Sequence, residues 1–406
     1  MARGILNALV ALLLAGTFLF PYVGGAVTAY VLIGLSLLLI AWNLVRPPRL
    51  AFDAGAWMFV TAWALIAIAF AITSRPGSRD YLLSVNFAMF ALYPLLAGAL
   101  QRFAAPGNSV RVAVLALAGS VIALAVGAFQ VFVQHYERAE GYASNPIPSA
   151  TVALFLGVFA LVGMFAIKSG WRYVFLLGPV AGLGTVLLAG SRGPLVAVPA
   201  LGLIALIMLP VRRVLSWGTA AAVVVIAAVA YLLKPTAFGR VASLPKMALD
   251  ILTGQPIAWS LDESGSVRYA IFEGSFAAFQ RSPWIGYGWY DKTIVVGKYT
   301  PFNVGFGDPS RAHLHSDILN LGVSAGLVGL VAYALVLAAP IVSAARSPRD
   351  SQFSGRLFLA LSLSVGFLCC GAVNLLFGFE FMTTMYVCFA AVFIGYCRDA
   401  PALATA

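Results

Sequence analysis

The chain has 406 residues, of which 62% are hydrophobic and only 10% are charged, and its formal net charge is +11. Its mean hydropathy of +0.95 exceeds what a soluble fold of this length can bury. Apolar runs of about 18 residues or more recur along the whole chain, as in membrane-spanning helices. Because the bilayer core offers backbone groups no water, each run is expected to be a helix, and a β-barrel of short alternating strands is excluded.

The apolar runs predict about twelve spans in a single transmembrane domain, residues 1–406. They lie near 5–23, 26–45, 55–73, 81–100, 111–132, 150–167, 172–190, 194–210, 214–233, 314–341, 357–378 and 381–397. The first run could pass for a signal peptide, but we interpret it as a retained first helix. One long connection, 234–312, joins spans nine and ten and holds most of the polar residues, as functional loops often do. The expected fold is all-α and polytopic, with helices inside this loop.

The distribution of charge predicts the orientation of these spans. With the N-terminus inside, the inner segments hold thirteen basic and three acidic residues, whereas the outer segments hold twelve and eleven. Basic residues accumulate on the cytoplasmic side of membrane proteins. Both termini are therefore expected in the cytoplasm and the 234–312 loop in the periplasm. The positive charge is a topology signal and does not indicate nucleic-acid binding.

No metal site is predicted from the sequence. The four cysteines lie in the last two apolar runs without metal-ligand spacing to a histidine, and they are interpreted as small core residues; they are Cys369, Cys370, Cys388 and Cys397. The outer segments contain scattered acids, such as Asp262 and Glu263, but no Asp-x-Asp pair.

Spans seven and eight are joined by the short turn Ser191-Arg192-Gly193. Such a turn places Arg192 at the outer membrane face, and Gly193 is expected to free the backbone. The planar guanidinium keeps its charge and presents five donors, which suits phosphate oxygens. The alternative is that Arg192 only reaches lipid headgroups.

Within the long loop, residues 266–281 have a helical pattern. An aromatic stripe recurs at three- and four-residue steps, formed by Tyr269, Phe272, Phe276 and Phe279. It is expected to pack on the membrane domain or enter the membrane interface, and a sugar-binding platform is the alternative. Arg268 lies beside the stripe and is either a solvated loop charge or a ligand-binding residue. Pro283 is expected to end the helix.

Two of the three histidines open span ten in the sequence His313-Leu-His315-Ser-Asp317. If the helix begins near His313, this residue and Asp317 lie one turn apart and can hydrogen-bond. His315 then points elsewhere, and a neutral imidazole can take a proton from a hydroxyl. The alternatives are a metal site, if the segment is a strand, and a capping or interface role for His315.

Three motifs carry a resemblance to a known family. They are GSRGPL at 190–195, PWIGYGW at 283–289 after an arginine-led helix, and HLHSDILNLGVSAGLVGL at 313–330. In this order and on one side, they resemble the O-antigen ligase and polymerase superfamily of bacterial membrane glycosyltransferases. His315, Leu319, Gly326 and Gly329 fit the spacing of that family, whereas Ser316 and Ser324 depart from it.

The resemblance implies a GT-C-like inner-membrane enzyme with twelve helices and no cofactor. Such enzymes transfer a glycan from undecaprenyl diphosphate to an acceptor on the periplasmic side. The single dominant loop makes the chain most like an O-antigen ligase, with lipid A–core as acceptor. We expect His315 as general base, Arg192, Arg268 and Arg311 on the diphosphate, His313 and Asp317 in support, no metal, and inversion at the anomeric carbon.

Three other functions stay open at this point. The chain could be a polymerase that extends the same lipid-linked glycan, or a peptidoglycan-synthesising enzyme that shares the lipid donor. A non-enzymatic transporter or flippase of polysaccharide lipid is the third alternative. Ion-coupled transporters keep charged residues inside their spans, and the spans here are nearly free of charge.

Overall fold

The computed structural model describes residues 2–20, 23–41, 53–74, 80–142, 145–209, 263–301, 304–306 and 313–399. All regular secondary structure in these ranges is helical. The predicted span at 214–233, the loop as far as residue 262, and Arg311 lie outside the described ranges.

Thirteen helices account for the described ranges. They are α1 Ala2–Leu19, α2 Val23–Ala41, α3 Ala54–Thr73, α4 Asp80–Phe103, α5 Asn108–Phe132, α6 Pro146–Ala166, α7 Gly170–Leu188, α8 Arg192–Met208, α9 Glu263–Arg281, α10 Lys292–Gly297, α11 Asp317–Arg346, α12 Phe353–Val373 and α13 Glu380–Tyr396. Helices α4 and α7 contain 3-10 stretches, and α13 ends in a π-helical turn.

Seven of these helices are long and apolar enough to cross a membrane, namely α3, α4, α5, α6, α7, α11 and α12. The shorter helices α1, α2, α8 and α13 are also apolar. Together they coincide with eleven of the predicted spans. The protein is therefore a membrane protein whose described ranges contain only helices as regular secondary structure. The total of twelve spans and the orientation of the bundle stay predictions.

Polar residues mark the places where several spans begin. Asp53 caps α3 by accepting the Ala56 N–H at 2.8 Å, and Asn145 caps α6 by accepting the Ile147 N–H at 3.0 Å. Asn145 is followed by a proline at the first helical position, where the missing N–H costs nothing. A side chain that satisfies a free amide at a helix start typically contributes about 1 kcal/mol.

Helix α13 forms the centre of the bundle. Every residue from Met382 to Tyr396 is buried, as expected of a helix that is apolar on all sides. Aromatic rings from neighbouring helices pack around it: the Phe389 ring lies 5.2 Å from Phe18 and 5.4 Å from Phe159. Three of the four cysteines are buried and all four are free thiols, in keeping with their prediction as core residues.

Helices α11 and α12 run antiparallel and define two ends of the bundle. At one end the Asp317 carboxylate accepts the Leu376 N–H at 2.7 Å. At the other end Arg356 Nε donates to Ser347 Oγ at 2.7 Å. We call these the His313 end and the Arg356 end; along α12 they lie about 25 Å apart. The turn between α7 and α8 lies at the His313 end, because Gly193 packs on Asn374 there.

Helix α11 is broken at Gly326, which has φ +62° and ψ −148°. The break frees two amides, and those of Leu327 and Val328 donate instead to the carbonyls of Pro283 and Trp284 at 2.7 and 3.3 Å. A Cβ at position 326 would collide with the Trp284 backbone. The glycine therefore lets the PWIGYGW segment of the loop bond directly to a membrane-spanning helix.

Candidate functional site

The turn between α7 and α8 positions Arg192, which is half-buried and begins α8. The left-handed residue of this turn is Gly190, with φ +57°, and Ser191 is extended. The expectation that Gly193 frees the backbone is therefore wrong. Gly193 is needed for space instead, because a Cβ there would overlap the side-chain amide of Asn374.

A second arginine holds the same turn. Arg138, from the segment between α5 and α6, donates from Nε to the Ala189 carbonyl at 2.8 Å and from Nη2 to Ser191 Oγ at 3.3 Å. Sequence reasoning missed this residue because it lies 54 positions from Arg192 in a loop of mixed charge. The backbone beside Arg192 is thus fixed by bonds from another part of the chain.

The last residue of α12 and the residues that lead to α13, Val373 to Phe379, form a segment that is buried from Asn374 to Gly378. We call it the 373–379 connection. The prediction placed this segment almost entirely within span eleven, which is wrong. Helix α12 ends at Val373, Asn374 is extended with φ −144° and ψ 160°, and Gly378 has φ +97°. The Phe377 ring is 1% exposed and packs edge-on to Tyr386 at 5.0 Å.

Asp317 organises this connection. Its Oδ1 atom accepts the backbone N–H groups of Leu376 at 2.7 Å and Phe377 at 3.0 Å. The predicted hydrogen bond between Asp317 and His313 is therefore wrong, because the helix begins at Asp317 and the residues before it are not helical. Asp317 thus holds the backbone of the 373–379 connection, and its supporting role in the site stays a prediction.

Arg268 reaches the same connection from α9. Its Nη1 atom donates to the Val373 carbonyl at 3.2 Å, at the C-terminal end of α12. A cation is stabilised there by the partial negative charge of the helix terminus. Arg268 and the turn that carries Arg192 thus both contact this connection, at Val373 and Asn374 respectively.

The two histidines adjoin this cluster. The ring centroids of His313 and His315 are 4.6 Å apart, and the His313 ring lies edge-on to Phe379 at 5.6 Å. His315 is half-buried and has φ +52°, an uncommon conformation for a residue other than glycine. A left-handed histidine beside a candidate site is typical of a residue whose position is functionally constrained.

The electrostatic surroundings keep His313 neutral. Burial, together with the smaller effects of the charges of Lys292 and Arg268, lowers the pKa of His313 to about 4. His313 therefore carries no charge at neutral pH. Lys292 and Arg268 therefore lie close enough to the His313 ring to lower its pKa.

Lys292 is a buried cation that sequence reasoning missed. Its Nζ atom donates to the Trp289 carbonyl at 2.9 Å and lies 3.6 Å from the centroid of the Trp289 ring. Burial lowers the pKa of Lys292 to about 7, and the carboxylate of Asp80 opposes this shift. No sequence pattern distinguished Lys292 from an ordinary loop lysine, because its burial depends on residues far away in the chain.

Helix α9 confirms the predicted loop helix but presents its aromatic stripe outward. Tyr269, Phe272 and Phe276 are exposed, whereas Ala270, Ile271 and Ala278 face the protein. The expectation that the stripe packs on the membrane domain is therefore wrong for these three rings. Their entry into the membrane interface stays a prediction, as does the sugar platform.

Arg311 lies outside the described ranges, so its place relative to the other arginines stays a prediction. Within the described part of the chain, no three His, Cys, Asp or Glu side chains are grouped so that they could hold a metal ion. The prediction that the chemistry needs no metal is not tested by this arrangement.

The arrangement gathers several cationic and proton-accepting groups at one end of the bundle. Five of the predicted residues lie at or beside the 373–379 connection or a residue that contacts it; they are Arg192, Arg268, His313, His315 and Asp317. A cluster of fixed positive charge can bind an anionic group such as a phosphate. A half-exposed imidazole next to it can accept a proton. The individual roles of these residues stay predictions.

Comparison with known protein families gives an independent result. Residues 177–334 match a family model described as O-Antigen ligase. The match runs from α7 into α11 and includes Arg192, Arg268, His313, His315 and Asp317, but it ends before the 373–379 connection. A comparison with curated proteins found no match. The resemblance of this chain to the O-antigen ligase superfamily is confirmed.

Proposed function

Because residues 177–334 match the O-antigen ligase family, we propose that this membrane protein is a glycosyltransferase of the ligase type. It transfers O-antigen polysaccharide from undecaprenyl diphosphate to a lipid A–core acceptor. The reaction takes place at the periplasmic face of the bacterial inner membrane, with both termini in the cytoplasm. The uneven distribution of basic residues supports this orientation.

One observation carries the proposal. Three sequence-distant elements meet at the 373–379 connection: Gly193 packs on Asn374, Arg268 donates to the Val373 carbonyl, and the His313 ring contacts Phe379. The motifs that carry the family resemblance are far apart in sequence, so their meeting at one end of the bundle supports a shared role.

The arginines bind the diphosphate of the donor. As the bond between the anomeric carbon and the diphosphate oxygen breaks, negative charge grows on the leaving group. Arg192, Arg268 and Arg311 stabilise this charge, and fixed cations in a partly buried site lose little energy in reorganising. These guanidiniums supply the positive charge that a divalent cation supplies in other phosphate-binding sites, so no metal is needed.

His315 accepts the proton of the acceptor. The hydroxyl oxygen of the lipid A–core sugar attacks the anomeric carbon, its proton moves to His315, and undecaprenyl diphosphate leaves from the opposite face. One displacement without an enzyme-bound intermediate inverts the anomeric carbon. General-base catalysis contributes about 10²–10⁴ in rate. Because the neighbouring His313 is neutral, it does not repel the His315 ring once that ring is protonated.

The membrane supplies a further part of the catalysis. Both substrates carry lipid tails, so they enter the site in fixed depth and orientation. Holding two reactants in this way makes their attack effectively intramolecular. The aromatic face of α9, which is exposed at Tyr269, Phe272 and Phe276, lies on the element that carries Arg268 and suits a position at the lipid interface.

A deletion strain tests the function itself. Cells without the protein should accumulate O-antigen on undecaprenyl diphosphate and leave the lipid A–core unsubstituted. Core capped with single repeat units would instead identify the protein as a polymerase. Unchanged lipopolysaccharide would contradict both activities.

Transfer by purified protein tests the role of His315. The substitution His315→Asn removes the base but keeps a residue that tolerates a positive φ, so the rate should fall about 10²–10⁴-fold while the protein still folds. His135→Asn is a matched control, because His135 is exposed and also has a positive φ of 57°. Transfer should also persist in excess chelator. Wild-type rates in His315→Asn would remove this residue as the base.

A further inference from the structure

Asn374 is a buried polar side chain without a hydrogen-bond partner for its amide nitrogen. The residue is 5% exposed, and Nδ2 is fully buried without a partner among the described residues. Leaving such a donor unsatisfied is costly, and native proteins do so rarely. An unpaired buried donor in a folded protein therefore calls for an explanation.

Four backbone donors of this segment are engaged. The amides of Leu376 and Phe377 are bonded to Asp317, and the Gly378 N–H donates to Thr383 Oγ1 at 3.2 Å. The Asn374 N–H itself donates to the Cys370 carbonyl at 2.9 Å. Among the side chains of the 373–379 connection, the Asn374 carboxamide is a buried donor that has no partner among the described residues.

The position of this carboxamide indicates what it binds. The carbonyl of Val373, the residue before Asn374, accepts a hydrogen bond from the Arg268 guanidinium. Gly193, beside Arg192, lies so close to Asn374 Nδ2 that a Cβ at position 193 would overlap this atom. Two arginine-bearing elements thus lie next to this donor. Arginine favours anionic acceptors such as phosphate, so the position suits a negatively charged acceptor better than a neutral sugar hydroxyl.

We propose that the Asn374 carboxamide donates a hydrogen bond to the diphosphate of the lipid-linked donor, between Arg192 and Arg268. This inference rests on the proposed function, since it assigns a further contact to the same substrate. It explains why position 193 is glycine: a side chain there would displace the amide from the diphosphate. Asn374 lies outside the family match, so the inference comes from the fold and not from the motifs.

Binding of undecaprenyl diphosphate to the full-length protein in lipid nanodiscs tests the inference. Asn374→Leu keeps similar volume and removes a buried unpaired donor, so thermal stability should be unchanged or higher. Binding should weaken about ten- to a hundredfold, as expected for a lost hydrogen bond to a charged group. The KM for the donor should rise while that for lipid A–core stays the same.

Two further variants keep the result clear. Asn374→Asp places an acceptor where the donor stands, and it should weaken binding more than Asn374→Leu. Ser362→Ala is a matched control. It also removes a buried polar atom that has no partner among the described residues, but this atom belongs to α12 and lies about 18 Å from Asn374. Wild-type affinity in both Asn374 variants would overturn the inference.

The failure of this inference is distinguishable from that of the proposed function. If the wild-type protein binds undecaprenyl diphosphate no better than undecaprenol, the proposed function fails together with the inference. If the wild-type protein prefers the diphosphate and the Asn374 variants share that preference in full, only the role of Asn374 is overturned.

Discussion

Two polar clusters lie at opposite ends of the α11–α12 pair, and they differ in how completely their hydrogen bonds are made. At the Arg356 end, the buried guanidinium donates to Ser347 Oγ, to both oxygens of Asp350, and to the carbonyls of Pro348 and Cys397, at 2.6 to 3.3 Å. All parts of this guanidinium are engaged. Such a closed network connects helix ends and leaves nothing for a ligand.

The His313 end is open by comparison. Asn374 Nδ2 and Asp317 Oδ2 are buried there without hydrogen-bond partners among the described residues. Arg268 and Lys292 both lower the pKa of His313. Burial of charge alone therefore does not identify a functional site. The His313 end is distinguished by buried polar atoms that have no hydrogen-bond partner among the described residues.

The largest contrast is expected between two arginine substitutions. Arg356→Met should destabilise the fold by about 3–5 kcal/mol, because it leaves the Asp350 carboxylate without its buried partner. Arg268→Met should lower the transfer rate about 10²–10³-fold with a smaller change in stability. Thermal unfolding and transfer rates of both variants measure the contrast. Equal losses of stability in both would erase the distinction between the two ends.

A smaller effect separates the charge of Asp317 from its geometry. Asp317→Asn keeps an oxygen that can accept the amides of Leu376 and Phe377, so transfer should stay near the wild-type rate. Asp317→Ala removes both bonds, which costs about 1–3 kcal/mol, and should lower transfer by loosening the 373–379 connection. Transfer rates and thermal stability are the measurements. An equal loss of activity in both variants would mean that the negative charge itself is required.

A third effect concerns pH and His313, and it should appear in stability and not in the transfer rate. Its pKa is about 4 in the folded protein and near 6.5 when unfolded, so the unfolded state binds more protons between these values. The free energy of unfolding should therefore rise with pH from about 4 to 6.5. Below this window the stability that comes from the neutral His313 is absent. His313→Asn should flatten that rise in thermal unfolding measured across the window. The transfer rate between pH 7 and 8 should not depend on titration of His313; an altered pH–rate profile there in His313→Asn would contradict its neutral state.

The sequence predicted the parts of the fold that depend on local pattern. Apolar runs located eleven helices to within a few residues, and three-residue spacing located α9. Helix α9 ends at Arg281, close to Pro283, where the helix was expected to end. These features are encoded in consecutive residues, so hydropathy and turn chemistry suffice to find them.

The parts that were missed depend on contacts between distant residues. The segment around Asn374 is apolar and continues the pattern of span eleven, so nothing local marks its end. The break at Gly326 makes sense only once the PWIGYGW segment supplies the missing backbone bonds. The Trp289 ring that Lys292 contacts is only three residues away, but Asp80, whose carboxylate acts on Lys292, comes close to it only in the folded chain. Sequence motifs thus located several candidate residues but not the connection that brings them together.

A structure of the protein with undecaprenyl diphosphate in lipid nanodiscs tests the central claim most directly. The diphosphate should lie at the His313 end, within hydrogen-bond distance of Arg192, Arg268 and Asn374, with His315 facing the anomeric position. A diphosphate bound elsewhere, or at the His313 end without contact to either arginine, would contradict the account.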